Sequence, residues 1–464
     1  MSLLKITNLE QYAGERLLFS IDRLDVHPYD RIGLIGTNGS GKTTLLRLLA
    51  GEMAPDAGSI QGNRSIAIIE QLVEKKGGTE SGGERTKQQI RDALLENPAL
   101  LLADEPENHL DQNGMRYLIR QLNDFQGALI MISHNRALLN AVCDKIWALD
   151  NGEIQVFSGN YDAYFQQNEL KKQRAEEQFE QYQKERKRLE RSIHQTKQKS
   201  ASTKKAPSRM GNSEARLHRM GDQRSKKHLD QAAKQMKTRM AQLEKVDKPR
   251  KEKELSIVLP DQLQIYAPEV LSATDFSKHF DEKMLFDHAS FALKTHSKTA
   301  LIGKNGSGKT TLLDQIAQRD PQIQFVKNCK IGYFGQFYEQ MDLQQSILEN
   351  VRRVSIHDDA TNRNVLASLL FRGDSVFRSC HVLSGGERSR VSLAMLMVSD
   401  ANVLLLDEVT NHMDLQSVEM VENALKQYDG TILFVSHDEA FVEAIATDIW
   451  HIHDGQLEET ECAE

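Results

Sequence analysis

The sequence predicts an α/β protein built of two tandem copies of one domain, joined by a long antiparallel α-helical coiled-coil hairpin. A glycine-rich turn ending in Gly-Lys-Thr occurs once in each half, at Gly36–Thr43 and at Gly303–Thr310. Each turn follows a short apolar run and precedes a helical one, which predicts the tandem copies. The stretch between the copies is long, basic and nearly free of proline. These observations divide the chain into a first lobe at residues 1–160, a linker at 161–257 and a second lobe at 258–464.

The composition predicts a soluble protein of a reducing cytosol. The 464 residues can form two or three domains, each with its own core, and 27% of them are charged. The longest apolar runs, such as Val403–Leu406, fall far short of the ~20 residues that span a bilayer, so no membrane-embedded part is expected. The four cysteines are widely scattered and match neither a metal site nor a disulfide frame.

The glycine-rich turn of the first lobe has the pattern G-x-x-x-x-G-K-T, which is typical of a P-loop. Its glycines let backbone N–H groups turn toward a phosphate chain, and the following helix adds a favourable dipole. The lysine supplies a positive charge for the outer phosphates, and the threonine hydroxyl can bind Mg²⁺. The alternative is a chance glycine turn, which the strand and helix on either side disfavour. The predicted phosphate-binding residues are Gly36, Asn38, Gly39, Ser40, Gly41, Lys42, Thr43 and Thr44.

Polar residues follow two further apolar strands of the first lobe. Asp104 and Glu105 end the run Leu100–Ala103, where a carboxylate can bind Mg²⁺ and a second one can polarise the attacking water. The alternative is an acid pair that caps the next helix. His134 follows the strand Ala128–Ile132 and could contact a γ-phosphate, although a lone histidine is more often structural.

A second glycine motif lies between these elements. Ser81, Gly82 and Gly83 open a helix that runs toward Leu95, which creates another anion site at a helix N-terminus.

The second lobe repeats this order of motifs. It supplies a second P-loop, a second serine–glycine–glycine turn, a second acid pair and a second histidine after a strand. Both acid pairs are complete, so both sites are expected to hydrolyse nucleotide. The corresponding residues are Gly303, Asn305, Gly306, Ser307, Gly308, Lys309, Thr310, Thr311, Ser384, Gly385, Gly386, Asp407, Glu408 and His437.

The linker carries a large positive charge. From Lys171 to Lys253 there are 26 Lys and Arg against 11 Asp and Glu, a net charge of +15 in a chain whose net charge is −7. Apolar residues at helical spacing predict one helix over Asn160–Lys199 and a second around Leu229–Leu243, with a tip at about 199–222 between them. The alternative is a solvated charged linker. We favour RNA contact through phosphates because the stretch from Gln183 to Ile265 has no aromatic residue to stack on bases. The candidate RNA-binding residues are Lys204, Lys205, Arg209, Arg216 and Arg219.

In this order the motifs resemble those of the ATP-binding cassette (P-loop) family. The resemblance implies that ATP and Mg²⁺ are the cofactors, and that the Ser-Gly-Gly signature of each cassette covers the ATP held by the other. It also implies roles for four further residues: Tyr12 and Phe280 as adenine-stacking aromatics, and Gln71 and Gln336 as Mg²⁺-side ligands. The metal-side set is then Thr43, Gln71, Asp104, Thr310, Gln336 and Asp407.

Three features depart from the family pattern. Glu80 stands where a leucine usually precedes the signature, and only ten positions separate Gln71 from Ser81, too few for the usual helical subdomain. In the second lobe, Val409 stands where the family usually has proline.

Two cassettes with a helical hairpin between them resemble the ABC-F family, and the antibiotic-resistance branch of the Vga/Lsa type in particular. The resemblance implies a monomer, with its two cassettes paired intramolecularly, that binds the ribosome in the cytoplasm. Its linker would enter the exit site beside the P-site tRNA and large-subunit rRNA, protecting the peptidyl-transferase centre from lincosamides, streptogramins A or pleuromutilins. ATP hydrolysis would drive release. A housekeeping translation factor of the same family and, less favoured, the ATPase subunit of an exporter are the alternatives.

Overall fold

The computed structural model describes residues 2–62, 65–70, 82–108, 110–202, 212–242, 263–280, 283–411 and 413–461. The chain forms two compact units. One unit comprises Met1–Tyr164 together with Lys253–Glu464, and the other is Phe165–Glu252. The first unit therefore contains both lobes.

The first lobe places its phosphate-binding turn between a buried parallel strand and a helix. Its central sheet has the order β5-β6-β7-β3-β8-β9, parallel except for the β8–β9 pair. A smaller antiparallel sheet has the order β2-β1-β4. The elements in chain order are β1 (Leu4–Ala13), β2 (Arg16–Val26), β3 (Arg31–Gly36), α1 (Lys42–Ala50), β4 (Ala57–Gly62), β5 (Ile66–Ile69), α2 (Gly82–Leu95), β6 (Leu100–Asp104), α3 (Gln112–Asp124), β7 (Ala128–Ile132), α4 (Arg136–Val142), β8 (Lys145–Asp150) and β9 (Glu153–Ser158).

The strands at the centre of this sheet are buried on both faces. β6 and β7 read LLLAD and ALIMI, and every residue of both is buried. Continuous apolar runs of this kind are typical of parallel strands that are covered on both sides. One apolar cluster covers one face around Leu129 and Leu138, and another covers the other face around Phe19 and Leu45.

Two long helices follow the first lobe: α5 (Tyr161–Ser202) and α6 (Asn212–Gln242). At 1.5 Å per residue, the 42 residues of α5 extend about 63 Å. Ser200 Oγ donates to Asp230 Oδ1 at 2.6 Å, and Arg239 lies 3.4 Å from Glu185. Leu189, Ile193 and Ala233 are buried, although most neighbouring side chains are exposed.

The expected tip at about 199–222 is too long. Helix α5 continues to Ser202, and α6 already begins at Asn212, so both flanks of the expected tip are helical. Gly221 suggested a break but lies inside α6. A single glycine costs a helix only about 1 kcal/mol relative to alanine, and its neighbours are mostly good helix formers. Arg216 and Arg219 therefore lie on α6.

The second lobe repeats the topology of the first, as the sequence predicts. Its central sheet has the order β14-β15-β16-β12-β17-β18, and its antiparallel sheet has the order β11-β10-β13. The elements are β10 (Glu269–Phe280), β11 (Lys283–Lys294), β12 (Lys298–Gly303), α7 (Lys309–Ala317), β13 (Ile323–Phe325), β14 (Ile331–Tyr333), α8 (Phe334–Glu339), α9 (Ile347–Val354), α10 (Asp359–Ser368), α11 (Gly385–Val398), β15 (Val403–Asp407), α12 (Leu415–Lys426), β16 (Thr431–Val435), α13 (Glu439–Ile445), β17 (Asp448–His453) and β18 (Gln456–Glu461).

The lobes differ in the segment before the signature turn. In the second lobe, α9, α10 and two short 3₁₀ turns lie between Gln336 and Ser384. A capping box starts α9, with Ser346 and Glu349 bonding each other's backbone N–H groups. The corresponding stretch of the first lobe, residues 71–81, lies outside the described residues, and so do the expected roles of Gln71 and Ser81.

Candidate nucleotide sites

The P-loop of the first lobe presents a helix N-terminus toward the space where a phosphate chain would lie. Gly41 precedes α1 with φ +101°, and none of the described side chains caps this helix. A Cβ on Gly41 would lie 3.0 Å from the Phe19 ring, so both the backbone conformation and the packing require glycine. The first turn of α1 contains no acidic residue, which leaves its positive end available for an anion.

The P-loop lysine is buried against its own loop. Lys42 Nζ donates to the carbonyl oxygens of Gly36 at 2.7 Å and Thr37 at 3.2 Å. Burial lowers the pKa of Lys42, and the nearby carboxylate of Asp414 partly opposes that shift. Lys309 repeats the arrangement in the second lobe, donating to Gly303 O at 2.8 Å and Lys304 O at 3.1 Å.

The P-loop serines test whether these turns fit a phosphate chain. Ser40 Oγ and Ser307 Oγ are buried and have no hydrogen-bond partner among the described residues. A Cβ on Gly39 would meet no atom within 4 Å, so this side of the loop is open. Buried hydroxyls without partners beside an open glycine turn fit a ligand that brings phosphate oxygens.

The Mg²⁺ position has one threonine and one aspartate in each lobe. The Thr43 hydroxyl donates to Asp104, and Thr310 donates to Asp407. Burial raises the pKa of each aspartate, and the threonine hydrogen bond partly opposes it. The described residues contain no group of three or more His, Cys, Asp or Glu that could hold a metal without further ligands. Mg²⁺ commonly binds through one or two protein oxygens together with phosphates and waters, and these pairs fit that mode. Gln336 is exposed in α8, directly after β14.

The glutamate and histidine predicted in the first lobe lie side by side. Glu105 Oε1 is 3.4 Å from His134 Nε2, and Asn108 Nδ2 donates to Glu105 Oε2 at 2.8 Å. Glu105 has φ +49°, an uncommon conformation for a residue other than glycine, and its N–H donates to Ile132 O at 3.0 Å. The backbone hydrogen bond and Asn108 together hold Glu105 directly after the end of β6.

The second lobe has the same arrangement. Glu408 has φ +46°, lies 3.3 Å from His437 Nε2 and accepts a hydrogen bond from Asn411. The hydrogen bond from His437 is the main cause that lowers the pKa of Glu408, against the effect of burial. A carboxylate that stays ionised beside a histidine can accept a proton from water.

Sequence reasoning missed the two asparagines. Asn108 and Asn411 each lie three residues after their glutamate, and each donates to that glutamate's carboxylate. Their recurrence at one spacing in both lobes was a signal that could have identified them.

Sequence reasoning also missed Glu107. Its Oε1 accepts hydrogen bonds from Ser133 Oγ at 2.6 Å and from His134 N at 2.9 Å. Thr410 occupies this place in the second lobe.

The signature turn of the second lobe starts α11 with a capping box. Ser384 N donates to Glu387 Oε2 at 2.9 Å, and Glu387 N donates to Ser384 Oγ at 3.3 Å. Arg378 pairs with the same glutamate. Ser384 and Gly385 are exposed, and Gly386 is buried. In the first lobe Gly82 and Gly83 open α2, while Ser81 lies outside the described residues.

The two lobes meet at the first P-loop. Asn38 N donates to Asp414 Oδ2 of the second lobe at 2.8 Å. The other oxygen of Asp414 accepts from Ser417 N at 2.8 Å and caps α12. Asp111 occupies the same place before α3 and acts electrostatically on Lys309 of the second P-loop. Each P-loop therefore lies near the helix-capping aspartate of the other lobe.

A buried ion pair also joins the lobes. Arg136, the first residue of α4, approaches Glu422 on α12 to 3.0 Å, with side-chain exposures of 17% and 8%. Nearby, Tyr161 Oη donates to Glu419 Oε1 at 2.9 Å. Leu415 of the second lobe packs into the first lobe's apolar cluster.

The remaining predicted residues are the two adenine-stacking candidates and the RNA-binding candidates of the linker. Tyr12 lies near the end of β1, 41% exposed, and its N–H donates to Asp56 Oδ2 at 2.8 Å. Phe280 ends β10, but its side chain lies outside the described part of the structure. Lys204, Lys205 and Arg209 lie outside the described residues, and the structure places only the helical backbone of Arg216 and Arg219.

Comparison with known proteins identifies the class. A family model described as ABC transporter matches residues 20–76 and 286–411, and a second model with the same description matches residues 147–227. A solved structure of RNase-L inhibitor shares the fold, with a TM-score of 0.64 and 17% identity, covering 97% of this chain and 89% of that one. Two cassettes with paired P-loop sites define an ATPase of the ATP-binding cassette type.

Two relatives show which family within this class the chain belongs to. The chain is 33% identical over 469 residues to the erythromycin resistance ATP-binding protein MsrA of Staphylococcus epidermidis, covering 93% of this chain and 94% of the relative. It is 31% identical over 470 residues to the ribosome protection protein VmlR of Bacillus subtilis, covering 94% and 84%. The chain belongs to the ABC-F family. Each helix in the described part of the chain is too short or too polar to cross a membrane.

Proposed function

We propose that the protein is a ribosome-protection ATPase of the Vga/Lsa type. It binds the ribosome beside the exit site, and its linker reaches toward the peptidyl-transferase centre and relieves inhibition by large-subunit antibiotics. The candidate drugs are lincosamides, streptogramins A and pleuromutilins. Similarity to MsrA and VmlR over more than nine-tenths of the chain supports this proposal.

The linker supports RNA as its partner. Residues 171–253 carry a net charge of +15 and lie between two lobes that together are acidic. Lys and Arg that neutralise phosphates release counterions, so this contact should weaken as salt rises. The contacts between α5 and α6 fit an antiparallel coiled-coil hairpin, because Glu185 pairs with Arg239 whereas the later Ser200 pairs with the earlier Asp230. Lys204, Lys205 and Arg209, which lie between α5 and α6 in the sequence, contact rRNA or the P-site tRNA.

The nucleotide sites control this contact. ATP with Mg²⁺ supplies a phosphoryl group that can pass to water. Glu105 and Glu408 orient that water and accept its proton, with Asn108 and Asn411 holding the carboxylates in place. His134 and His437, which lie 3.4 Å and 3.3 Å from these glutamates, contact the outer phosphate.

Pairing of the lobes couples the two sites to the linker. The single observation that carries this step is the hydrogen bond from Asn38 N to Asp414, which joins the first P-loop to the second lobe. Loss of the outer phosphate weakens this pairing, and the protein leaves the ribosome.

Antibiotic susceptibility tests this proposal. Cells that express the protein should grow at higher concentrations of at least one of the three drug classes than cells that express the Glu105→Gln, Glu408→Gln double variant. The double variant should not protect, because protection requires ATP turnover. Both proteins must be present at equal levels so that the comparison reports turnover and not expression. Unchanged susceptibility across these classes, and across phenicols, oxazolidinones and macrolides, contradicts the resistance function. If ribosome binding persists in that case, the housekeeping translation factor is the correct assignment.

A further inference from the structure

Glu107 joins the ends of two neighbouring strands in the first lobe. It lies three residues after the end of β6, and its Oε1 accepts hydrogen bonds from two residues of the turn after β7. Ser133 Oγ donates at 2.6 Å and His134 N donates at 2.9 Å. This carboxylate therefore holds the backbone of the turn that carries the histidine of the first site.

His134 is held at two points by one short segment. Its N–H donates to Glu107, and its ring Nε2 lies 3.4 Å from Glu105 Oε1. The N–H of Glu105 in turn donates to the carbonyl oxygen of Ile132 at 3.0 Å, just before the histidine turn. With the backbone and the ring both held, the imidazole has little freedom to move relative to Glu105.

The turns that carry the two histidines are otherwise alike. Ser133 Oγ accepts from Asn135 N at 3.0 Å in the first lobe, and Ser436 Oγ accepts from Asp438 N at 3.1 Å in the second. The distance from the histidine Nε2 to the glutamate Oε1 is also similar, at 3.4 Å and 3.3 Å. The second lobe thus forms the same turn with a different residue in the place of Glu107.

That residue is Thr410, which does not provide the same anchor. A threonine hydroxyl is two bonds closer to the backbone than a glutamate carboxylate oxygen, and no residue in the described part of the chain accepts a hydrogen bond from His437 N. The second pair is also more open to solvent. The side chains of Glu408 and His437 are 37% and 25% exposed, against 16% and 13% for the first pair.

Stability alone gives no reason for a carboxylate at position 107. Its second oxygen, Oε2, is buried and has no hydrogen-bond partner among the described residues. A buried oxygen without a partner is unfavourable, and the second lobe forms its turn without such a group. An unfavourable group of this kind beside a reaction site indicates a role in function.

We propose that Glu107 is a positioning residue of the first nucleotide site. By fixing the backbone of His134, it places the imidazole beside Glu105 before ATP binds, so the two sites differ in how firmly their histidines are held. This inference rests on the proposed contact of His134 with the outer phosphate.

The test measures steady-state ATP turnover by the full chain without ribosomes. The Glu408→Gln background removes the proposed base of the second site, so the remaining turnover reports on the first. Glu107→Thr, which gives the first lobe the residue of the second, should lower kcat about tenfold, because misplacing a catalytic group by about 1 Å can cost a hundredfold. Its KM for ATP should change less than about twofold, because the P-loop is untouched.

Glu107→Gln is the matched control, because it keeps an acceptor oxygen for Ser133 and His134. It should retain kcat within about twofold. Rates are referred to the folded fraction of each variant, measured by denaturant unfolding. Unchanged kcat in Glu107→Thr would overturn the proposal. Equal losses in both variants would overturn it too, because the hydrogen bonds would then not be the cause.

A raised KM with unchanged kcat in Glu107→Thr would also overturn the proposal, because it indicates a role in ATP binding alone. If Glu408→Gln by itself abolishes turnover, the two sites act together, and the same tenfold loss is expected when Glu107→Thr is made in the parent chain. Absence of ATP turnover in the parent would refute the ATPase sites themselves, and the role of Glu107 with them.

Discussion

Two glutamates with a proposed role in ATP hydrolysis have a strained backbone conformation. Glu105 and Glu408 occupy the left-handed region, which costs residues other than glycine of the order of 1–2 kcal/mol. Each is held there by an N–H bond to the neighbouring strand and by an asparagine on its carboxylate. The P-loops and acid pairs could be predicted from sequence because each motif is continuous and occurs twice.

Glu107 makes a testable contribution to pH-dependent stability. Burial raises the pKa of its carboxyl group, despite hydrogen bonds from Ser133 and from the N–H of His134. The unfolded chain loses this proton near the ordinary glutamate pKa, whereas the folded chain keeps it to higher pH. The stabilisation is therefore complete below the ordinary pKa and is lost as pH rises toward the folded pKa. Glu107→Gln keeps an acceptor for both bonds. Its unfolding free energy should therefore increase relative to that of the parent as pH rises, by at most about 1.4 kcal/mol per pH unit.

Glu387 is the control for this experiment because its pKa shifts the other way. Burial alone would raise the pKa of Glu387, but hydrogen bonds from the backbone of Ser384 and from Arg378 lower it. The unfolding free energy of Glu387→Gln should therefore increase relative to that of the parent as pH falls below the ordinary glutamate pKa. Denaturant unfolding at several pH values measures both variants. Equal pH profiles for Glu107→Gln and the parent would contradict the shift at Glu107.

At the scale of secondary-structure elements, helix α12 begins on a residue with two partners. Asp414 caps α12 through Ser417 N and also accepts the N–H of Asn38 in the other lobe's P-loop. Sequence predicted the strands and helices around each motif. It misplaced the ends of α5 and α6 because Pro207, Gly211 and Gly221 suggested one broad break, whereas Gly221 is tolerated inside a helix.

Asp414→Ala should impair both stability and ATP turnover. Loss of the cap costs about 1 kcal/mol, and loss of the Asn38 contact should lower the turnover rate by about tenfold. Asp358→Ala is the matched control, because Asp358 caps α10 through Thr361 N and lies away from the P-loop contact. The control should lose similar stability and keep its ATPase rate. Equal rates in the two variants would show that the lobe contact is not needed for turnover.

At the scale of the whole molecule, contacts between distant parts of the chain pair the two lobes. Arg136 and Glu422 are 286 residues apart, and no spacing rule predicts that they meet. This ion pair is not repeated between the equivalent helices. Glu439 stands in the second lobe where Arg136 stands in the first, and Ile119 stands in the first lobe where Glu422 stands in the second. The repeated motifs predicted two sites, but only the three-dimensional structure identifies this one-sided ion pair.

Breaking this buried pair should destabilise the protein more than removing it entirely. Arg136→Met leaves Glu422 buried without its partner and should cost about 3 kcal/mol. The Arg136→Met, Glu422→Met double variant should recover most of that loss, which a double-mutant cycle of unfolding measures. Lys330→Met removes the exposed pair with Asp400 and should change stability little. Additive losses at Arg136 and Glu422 would contradict a direct interaction.

The central claim, that nucleotide turnover releases a basic linker from ribosomal RNA, is tested most directly by sedimenting the Glu105→Gln, Glu408→Gln variant with ribosomes. With ATP, the variant should pellet with ribosomes and stay bound. The parent should be released as it hydrolyses ATP, and binding should weaken with rising salt. Reversing the charges at Lys204, Lys205 and Arg209 should reduce both the binding and its salt dependence. Failure of the double variant to pellet with ribosomes in ATP, while it still binds ATP, would contradict the claim.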